Sequence, residues 1–231
     1  MFNVDGNNKM WNSDSMWRKN TRGGYGVDIN RNYPFAWNSC GGSSGSQWAQ
    51  DFRGPAAASE PETQAMMNLV GEIKPVFNIS YHSYSELVIY PFGCSKKRTP
   101  AEEAVETIGK QVAEQIKYKP GTAWELLYNV DGGDIDWMYS VHQVIPYVIE
   151  VSPSSDGFHP DYSKRDATVA RNRAGWMHLL KRMYGPGIHG SVPSKSFTTI
   201  KISRTGDGKL VQNYRVNPDG SFHIIVQPGK Y

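Results

Sequence analysis

Three short β-type runs, PVFNISYH at 75–82, ELVIYPFG at 86–93 and IPYVIEV at 145–151, share the chain with stretches whose apolar residues recur at helical spacing. One such stretch opens at Ser59, where Glu62 completes a capping box and Pro61 suits a first turn, and it carries Ala65, Met66, Leu69, Val70 and Ile73 on one face. A second opens around Thr99, Pro100 and Glu102 and carries Ala104, Val105, Ile108, Val112 and Ile116. A third spans roughly 166–184. Strands alternating with helices predict an α/β fold: a mixed, largely parallel sheet sandwiched by helices.

The flanks read differently. Residues 1–58 are rich in Asn, Gly and Ser, and only YGVDIN looks like a strand, so this region reads as loop packed onto a body through Phe35, Trp37, Trp48 and Phe52. Past GPGIHGSVPSK, the runs FTTIKIS, KLVQNYRV and SFHIIVQ are separated by RTGDG and NPDG, both hairpin-turn signals. These runs predict a small β module over 189–231 after an α/β domain over 1–188, comfortable for a chain of 231 residues.

Charge and composition exclude some partners. A net charge of +3 with scattered Lys and Arg argues against nucleic acid, whose binders concentrate basic residues in one stripe. No apolar run approaches the ~18–20 residues of a membrane span, and the first ten residues lack the pattern of a signal peptide. Cys40 and Cys94 leave open one disulfide or two buried thiols.

Ligands of open α/β sheets bind beyond the carboxyl ends of strands. His82 and Glu150 lie at such ends, and Arg18 and Arg31 lie in the aromatic-flanked loops upstream. Taken singly, each has a plain structural reading: a strand-end His is usually hydrogen-bonded scaffolding, and a loop Arg is usually solvated. The ordered set decides otherwise. MWRKNTR, GVDINRNYPF, SYHSYSELVIYPFG, DGGDIDWMY and YVIEV resemble, in order and spacing, the motifs of zinc metallocarboxypeptidases of the carboxypeptidase A/B/T (M14-like) type, over roughly residues 3–184.

The resemblance implies a carboxypeptidase-like fold acting on peptide or protein C-termini, with hydrophobic residues favoured. By position, His82 matches a zinc ligand, Glu150 the general base and Arg18 the arginine facing the oxyanion. Asn30 and Arg31 match the grip on the terminal carboxylate, Tyr128 the tyrosine that closes over substrate, and Ser83 and Tyr84 further substrate contacts. Ile135 matches the base of the specificity pocket, with Asp131 and Asp134 near enough to shift preference towards basic residues. The residue types suit these tasks: a guanidinium binds a carboxylate bidentately, and zinc lowers the pKa of its water to near 7.

One part of the family pattern departs. The other two zinc ligands come from a His-x-x-Glu motif upstream of the Asn-x-Asp-Gly turn, which here is Asn3–Gly6. None of the six histidines stands in a His-x-x-Glu or His-x-x-x-His pattern. One of three expected zinc ligands is therefore present. The expectation is a C-terminal part of a metallocarboxypeptidase, inactive alone, whose shortened sheet exposes an apolar edge. The alternatives are a non-catalytic binder of peptide C-termini or a zinc amidohydrolase acting on cell-wall peptides. An appended β module points to a secreted or periplasmic protein.

Overall fold

The computed structural model describes residues 2–94, 96–193 and 198–231. In chain order the elements are α1 (Val4–Asn12), α2 (Pro61–Ile73), β1 (Phe77–Ser83), β2 (Leu87–Ile89), α3 (Glu102–Ile116), β3 (Lys119–Gly121), α4 (Ala123–Leu126), α5 (Asp134–His142), β4 (Ile145–Val151), α6 (Arg165–Arg182), β5 (Gly187–Ser191), β6 (Thr199–Ser203), β7 (Leu210–Arg215) and β8 (Ser221–Ile225). The chain divides into two compact units. One comprises Met1–Ile73, Phe92–Lys97 and Ala123–Val141; the other comprises Lys74–Pro91, Arg98–Thr122 and His142–Tyr231.

In the first unit, the expected N-terminal loop begins with a helix. Asn3 caps α1 by accepting from Gly6 N at 3.0 Å and ties it to the chain by donating to Lys19 O, so the Asn-x-Asp-Gly segment is a helix start rather than a free turn. YGVDIN is not a strand. Val27 and Ile29 are buried, but the Asp28 side chain accepts from Asn30 N and folds Ile29–Arg31 into a 3₁₀ turn.

The capping box expected at Ser59 and Glu62 does not form. Ser59 Oγ donates to Glu60 Oε1 at 2.7 Å, and buried Glu60 also accepts from Asn20 Nδ2 and Arg22 Nη1. A buried carboxylate must be paired and hydrogen-bonded, and this one takes the serine first. The apolar stripe of α2 is also displaced: Thr63 and Val70 are buried, whereas Leu69 is 47% and Ile73 58% exposed.

The second unit holds a four-stranded sheet in the order β1-β4-β2-β3. β1 runs parallel to β4 and β2 parallel to β3, while β2 and β4 are antiparallel, so the sheet is mixed with mostly parallel pairs. β1 forms one edge, half-buried along most of its length and with Tyr81 exposed.

α3 buries its whole predicted stripe because Ala104, Val105, Ile108, Val112 and Ile116 fall on one face at helical spacing. α6 meets α3 at Gly175, where a Cβ would lie 3.0 Å from Ile116 Cγ2. Gly109 of α3 is tighter still, since a Cβ there would lie 2.7 Å from Tyr90 Cδ1 and 2.9 Å from Tyr147 Cε1. Tyr147 cannot swing away easily, because its buried hydroxyl donates to Val105 O at 2.8 Å. Gly109→Ala gains about 1 kcal/mol of helix propensity, but overpacking costs about 1–3 kcal/mol. The variant is expected to be less stable than wild type in denaturant unfolding; a gain in stability would show that the tyrosines yield.

The C-terminal strands belong to this same unit. β6 and β7 form the hairpin expected across RTGDG, with Gly208 at φ 67°. The run expected from Phe197 begins outside the described residues. NPDG makes a tight turn, with Gly220 N donating to Asn217 O, but it does not join a β7–β8 ladder. β8 pairs antiparallel with β5, the stretch Gly187–Ser191 that reads as a connector in sequence. The strands bury Ile202, Tyr214, Ile224 and Val226 together. Lys74 Nζ donates to Val216 O, Arg182 Nη2 to Val226 O, and Arg204 pairs with Glu103, fastening them to the helices and loops of the unit.

Candidate active site

The predicted site residues fall into two sets, one in each unit. In the second unit, β1 and β4 run side by side with His82 directly opposite Glu150. The parallel pairing sets this register, because both strands end beside the polar residue that follows an apolar run. His82 Nδ1 stands 3.9 Å from Glu150 Oε1, too long for a hydrogen bond, and His82 Nε2 lies 3.1 Å from Ser80 Oγ. Both side chains are largely shielded, Glu150 more so. Ser83 ends β1 opposite Val151, and the Tyr84 ring packs edge-on against Phe158 with centroids 4.8 Å apart.

The first unit holds Arg18, Asn30, Arg31, Tyr128 and Ile135. Asp28, which no local pattern marks out for this role, holds two of them, Arg18 and Asn30. Its Oδ2 accepts from Arg18 Nη2 at 2.8 Å, and its Oδ1 accepts from Asn30 N at 3.1 Å. Asn30 Oδ1 in turn accepts from Asp134 N at 3.0 Å, capping the first turn of α5. With its oxygen so engaged, the Asn30 side chain has its amide N–H groups as the donors for a ligand.

Arg31 is only 4% exposed. Its Nε donates to Gly42 O and its Nη1 to Asn30 O, both at 2.8 Å, and the Tyr128 ring centroid lies 6.0 Å from its Cζ. Among the described residues no carboxylate pairs with this guanidinium. Tyr128 itself is largely exposed, while Ile135 is buried in the first turn of α5.

Two further aspartates of the DGGDID segment are buried and engaged. Asp131 Oδ2 accepts from Ser39 N, Cys40 N and Gly42 N at 3.0, 3.1 and 3.3 Å. Asp136 accepts from Gly93 N with both oxygens and from Cys94 N. Burial pushes the Asp136 carboxyl up to about 7, outweighing the two N–H groups, which favour the charged form. Cys40 and Cys94 are joined in a disulfide, which settles the choice left open by the sequence. All three N–H groups bind Asp131 Oδ2, while its Oδ1 is buried with no hydrogen-bond partner among the described residues. The sequence signal for these anchors was their spacing beside Gly132 and Gly133; Gly132 adopts φ 61°, and a Cβ there would lie 2.3 Å from Arg31 O.

A three-ligand zinc set does not fit this chain: among the described residues no group of three or more His, Cys, Asp or Glu side chains converges. No described helix is long and apolar enough to cross a membrane.

The model of the zinc carboxypeptidase family matches residues 1–175. The chain belongs to the zinc carboxypeptidase family. Human carboxypeptidase O is 29% identical to this family member over 203 residues, 82% of this chain and 54% of that protein. Human mast cell carboxypeptidase A is 34% identical over 156 residues, 61% of this chain and 37% of that protein. This zinc carboxypeptidase chain thus spans about half the length, or less, of these curated relatives. Bovine thrombin-activatable fibrinolysis inhibitor, solved in complex with a tick carboxypeptidase inhibitor, superimposes with a TM-score of 0.70 at 26% identity, over 78% of this chain and 68% of that one.

Proposed function

We propose that the protein acts as a carboxypeptidase that releases C-terminal residues from peptides, with apolar side chains preferred. The observation that carries this reading is Arg31. A guanidinium buried without a carboxylate is costly, and the two carbonyls it bonds offset its charge only in part. A ligand carboxylate would complete it, and a guanidinium takes that group bidentately. The Asn30 amide would donate to the same group, and Tyr128, exposed and beside Arg31, would cover it. Buried Ile135 supports an apolar preference.

Glu150, largely shielded at the end of β4, is the group that would take a proton from attacking water and return it to the leaving amine. Arg18, held by Asp28, would face the developing oxyanion. Ser83 and Tyr84 would be further peptide contacts. Metal ligation on this chain rests on His82, one of the three side chains a catalytic zinc needs, so the 231-residue chain by itself is inactive and retains little zinc. Residues 1–188 supply the catalytic-domain residues named here, and the strands of 189–231, which pack in the same unit as the sheet, are an accessory module. The disulfide supports an oxidising location, secreted or periplasmic.

The test is peptide binding with and without a terminal charge. A short peptide ending in Phe is expected to bind the 231-residue chain more tightly as the free acid than as the C-terminal amide. Arg31→Ala is expected to remove that difference, about ten- to a hundredfold for a charged hydrogen-bond partner. Equal affinity for acid and amide in the wild type would reject the clamp. Zinc content by atomic emission after dialysis is expected to be near zero; one zinc per chain, lost in His82→Ala, would overturn the inactive reading.

A further inference from the structure

We infer that Asp131 is a positioning residue for the carboxylate clamp: its buried carboxylate fixes the loop whose Gly42 carbonyl orients the Arg31 guanidinium. This inference rests on the reading of Arg31 as the carboxylate grip and names what holds that grip in place.

Three successive links carry it, all inside the first unit. Asp131 Oδ2 gathers the backbone N–H groups of Ser39, Cys40 and Gly42, and three donors on one oxygen leave the loop little freedom to shift. The carbonyl of Gly42 accepts from Arg31 Nε, which fixes the plane of the guanidinium from its inner edge. The opposite edge, with Nη1 and Nη2, is the side a carboxylate can meet in a two-point fork. Rotation of the Gly42 peptide would therefore turn the fork.

The remaining contacts show that this loop cannot easily relax elsewhere. A Cβ at Gly42 would lie 2.4 Å from Asn129 O and 2.7 Å from Asp131 N, so the loop backbone lies directly on the segment that supplies the carboxylate. Asn129 Nδ2 also donates to Cys40 O. Tyr128, the neighbour of Arg31, precedes Asn129 in the chain. The arginine, its covering tyrosine and its backbone acceptor thus share one support, and Asp131 is its charged centre. An aspartate in this segment would, in sequence alone, suggest attraction for a basic substrate side chain. Its burial at 1% exposure and its three backbone donors assign it to the loop instead.

The experiment compares wild type, Asp131→Asn and Asp207→Asn for binding of the Phe-terminated peptide as free acid and as amide. Asn at 131 keeps the volume and one acceptor but loses the charge that holds three N–H groups together. Asp131→Asn is expected to weaken free-acid binding about tenfold or more, in line with the sensitivity of such forks to misplacement, and to leave amide binding unchanged. Asp207→Asn, at an exposed position in the β6–β7 turn, is expected to leave the acid-to-amide ratio as in wild type. A mere loss of stability would not produce that split between ligands.

Full discrimination retained by folded Asp131→Asn would overturn the positioning role while leaving the clamp intact. No discrimination in the wild type would instead remove the clamp and this inference with it. Because a buried aspartate variant can fail to fold, the Arg31 Nε–H of the wild type is followed by hydrogen exchange in parallel. Slow exchange supports the Gly42 bond, and exchange at the rate of a free arginine overturns it.

Discussion

Removing the disulfide with Cys40→Ser and Cys94→Ser together is expected to lower stability by about 4 kcal/mol, the loop-closure entropy of a bridge across a separation of 54 residues. For a chain of this size that corresponds to a fall of roughly 8–16 °C in the unfolding midpoint. The loss should also reach the clamp, because Cys40 lies between Ser39 and Gly42, the residues Asp131 gathers. The check is thermal unfolding of the double variant against oxidised wild type, with wild type in reductant as a third sample. Coincident transitions in all three would mean that the bridge constrains nothing that folding needs.

The second large effect concerns Asp136. Asp136→Ala would leave Gly93 N–H and Cys94 N–H buried without acceptors and open a void beside the bridge, a cost of about 3 kcal/mol. The carboxyl also makes stability depend on pH, and the sign follows from its raised pKa. Unfolded, it titrates near 3.8; folded, it titrates at about 7. Below both values it is protonated in either state and its contribution is fully favourable. As pH rises from about 4 to about 7, the unfolded chain releases the proton while the folded one keeps it, so stability falls, by up to about 4 kcal/mol for a shift of this size. Above 7 nothing further is lost. Unfolding measured from pH 4 to 8 should therefore slope downward in wild type relative to Asp136→Asn, which cannot titrate. Parallel profiles would mean that the buried carboxyl is charged throughout.

What could be read from residue order was what depends on local periodicity. The stripe of α3 is buried residue for residue because every fourth or third position along it is apolar and no polar group interrupts the face. The strands that carry His82 and Glu150 as their next-to-last residues were equally legible, since an apolar run that stops near a polar residue marks a sheet rim. The five motifs that tie the chain to zinc carboxypeptidases are local in the same sense. The misreadings share one cause. Asn3, Ser59 and Asp28 each carried a valid local signal, but each is also tied to a distant segment: Asn3 donates to Lys19 O, Asp28 accepts from Arg18, and the Glu60 that takes the Ser59 hydroxyl is itself held by Asn20 and Arg22. Ser59 was drawn from Glu62 by Glu60, which also binds Asn20 and Arg22, 40 and 38 residues away. The pairing of β8 with β5 rather than β7 is likewise a matter of which strand the chain returns beside, which NPDG as a turn does not encode.

The sequence by itself determined the α/β class, the family and the residue types of the site, because those follow from spacing along the chain. Tertiary structure alone decided that Cys40 meets Cys94, that Asp131 and Asp136 serve backbone N–H groups 89–92 and 42–43 residues distant, and that Arg31 is buried against carbonyls. A buried charge has to find its partners wherever the fold brings them, and proximity in space is not written in proximity along the chain.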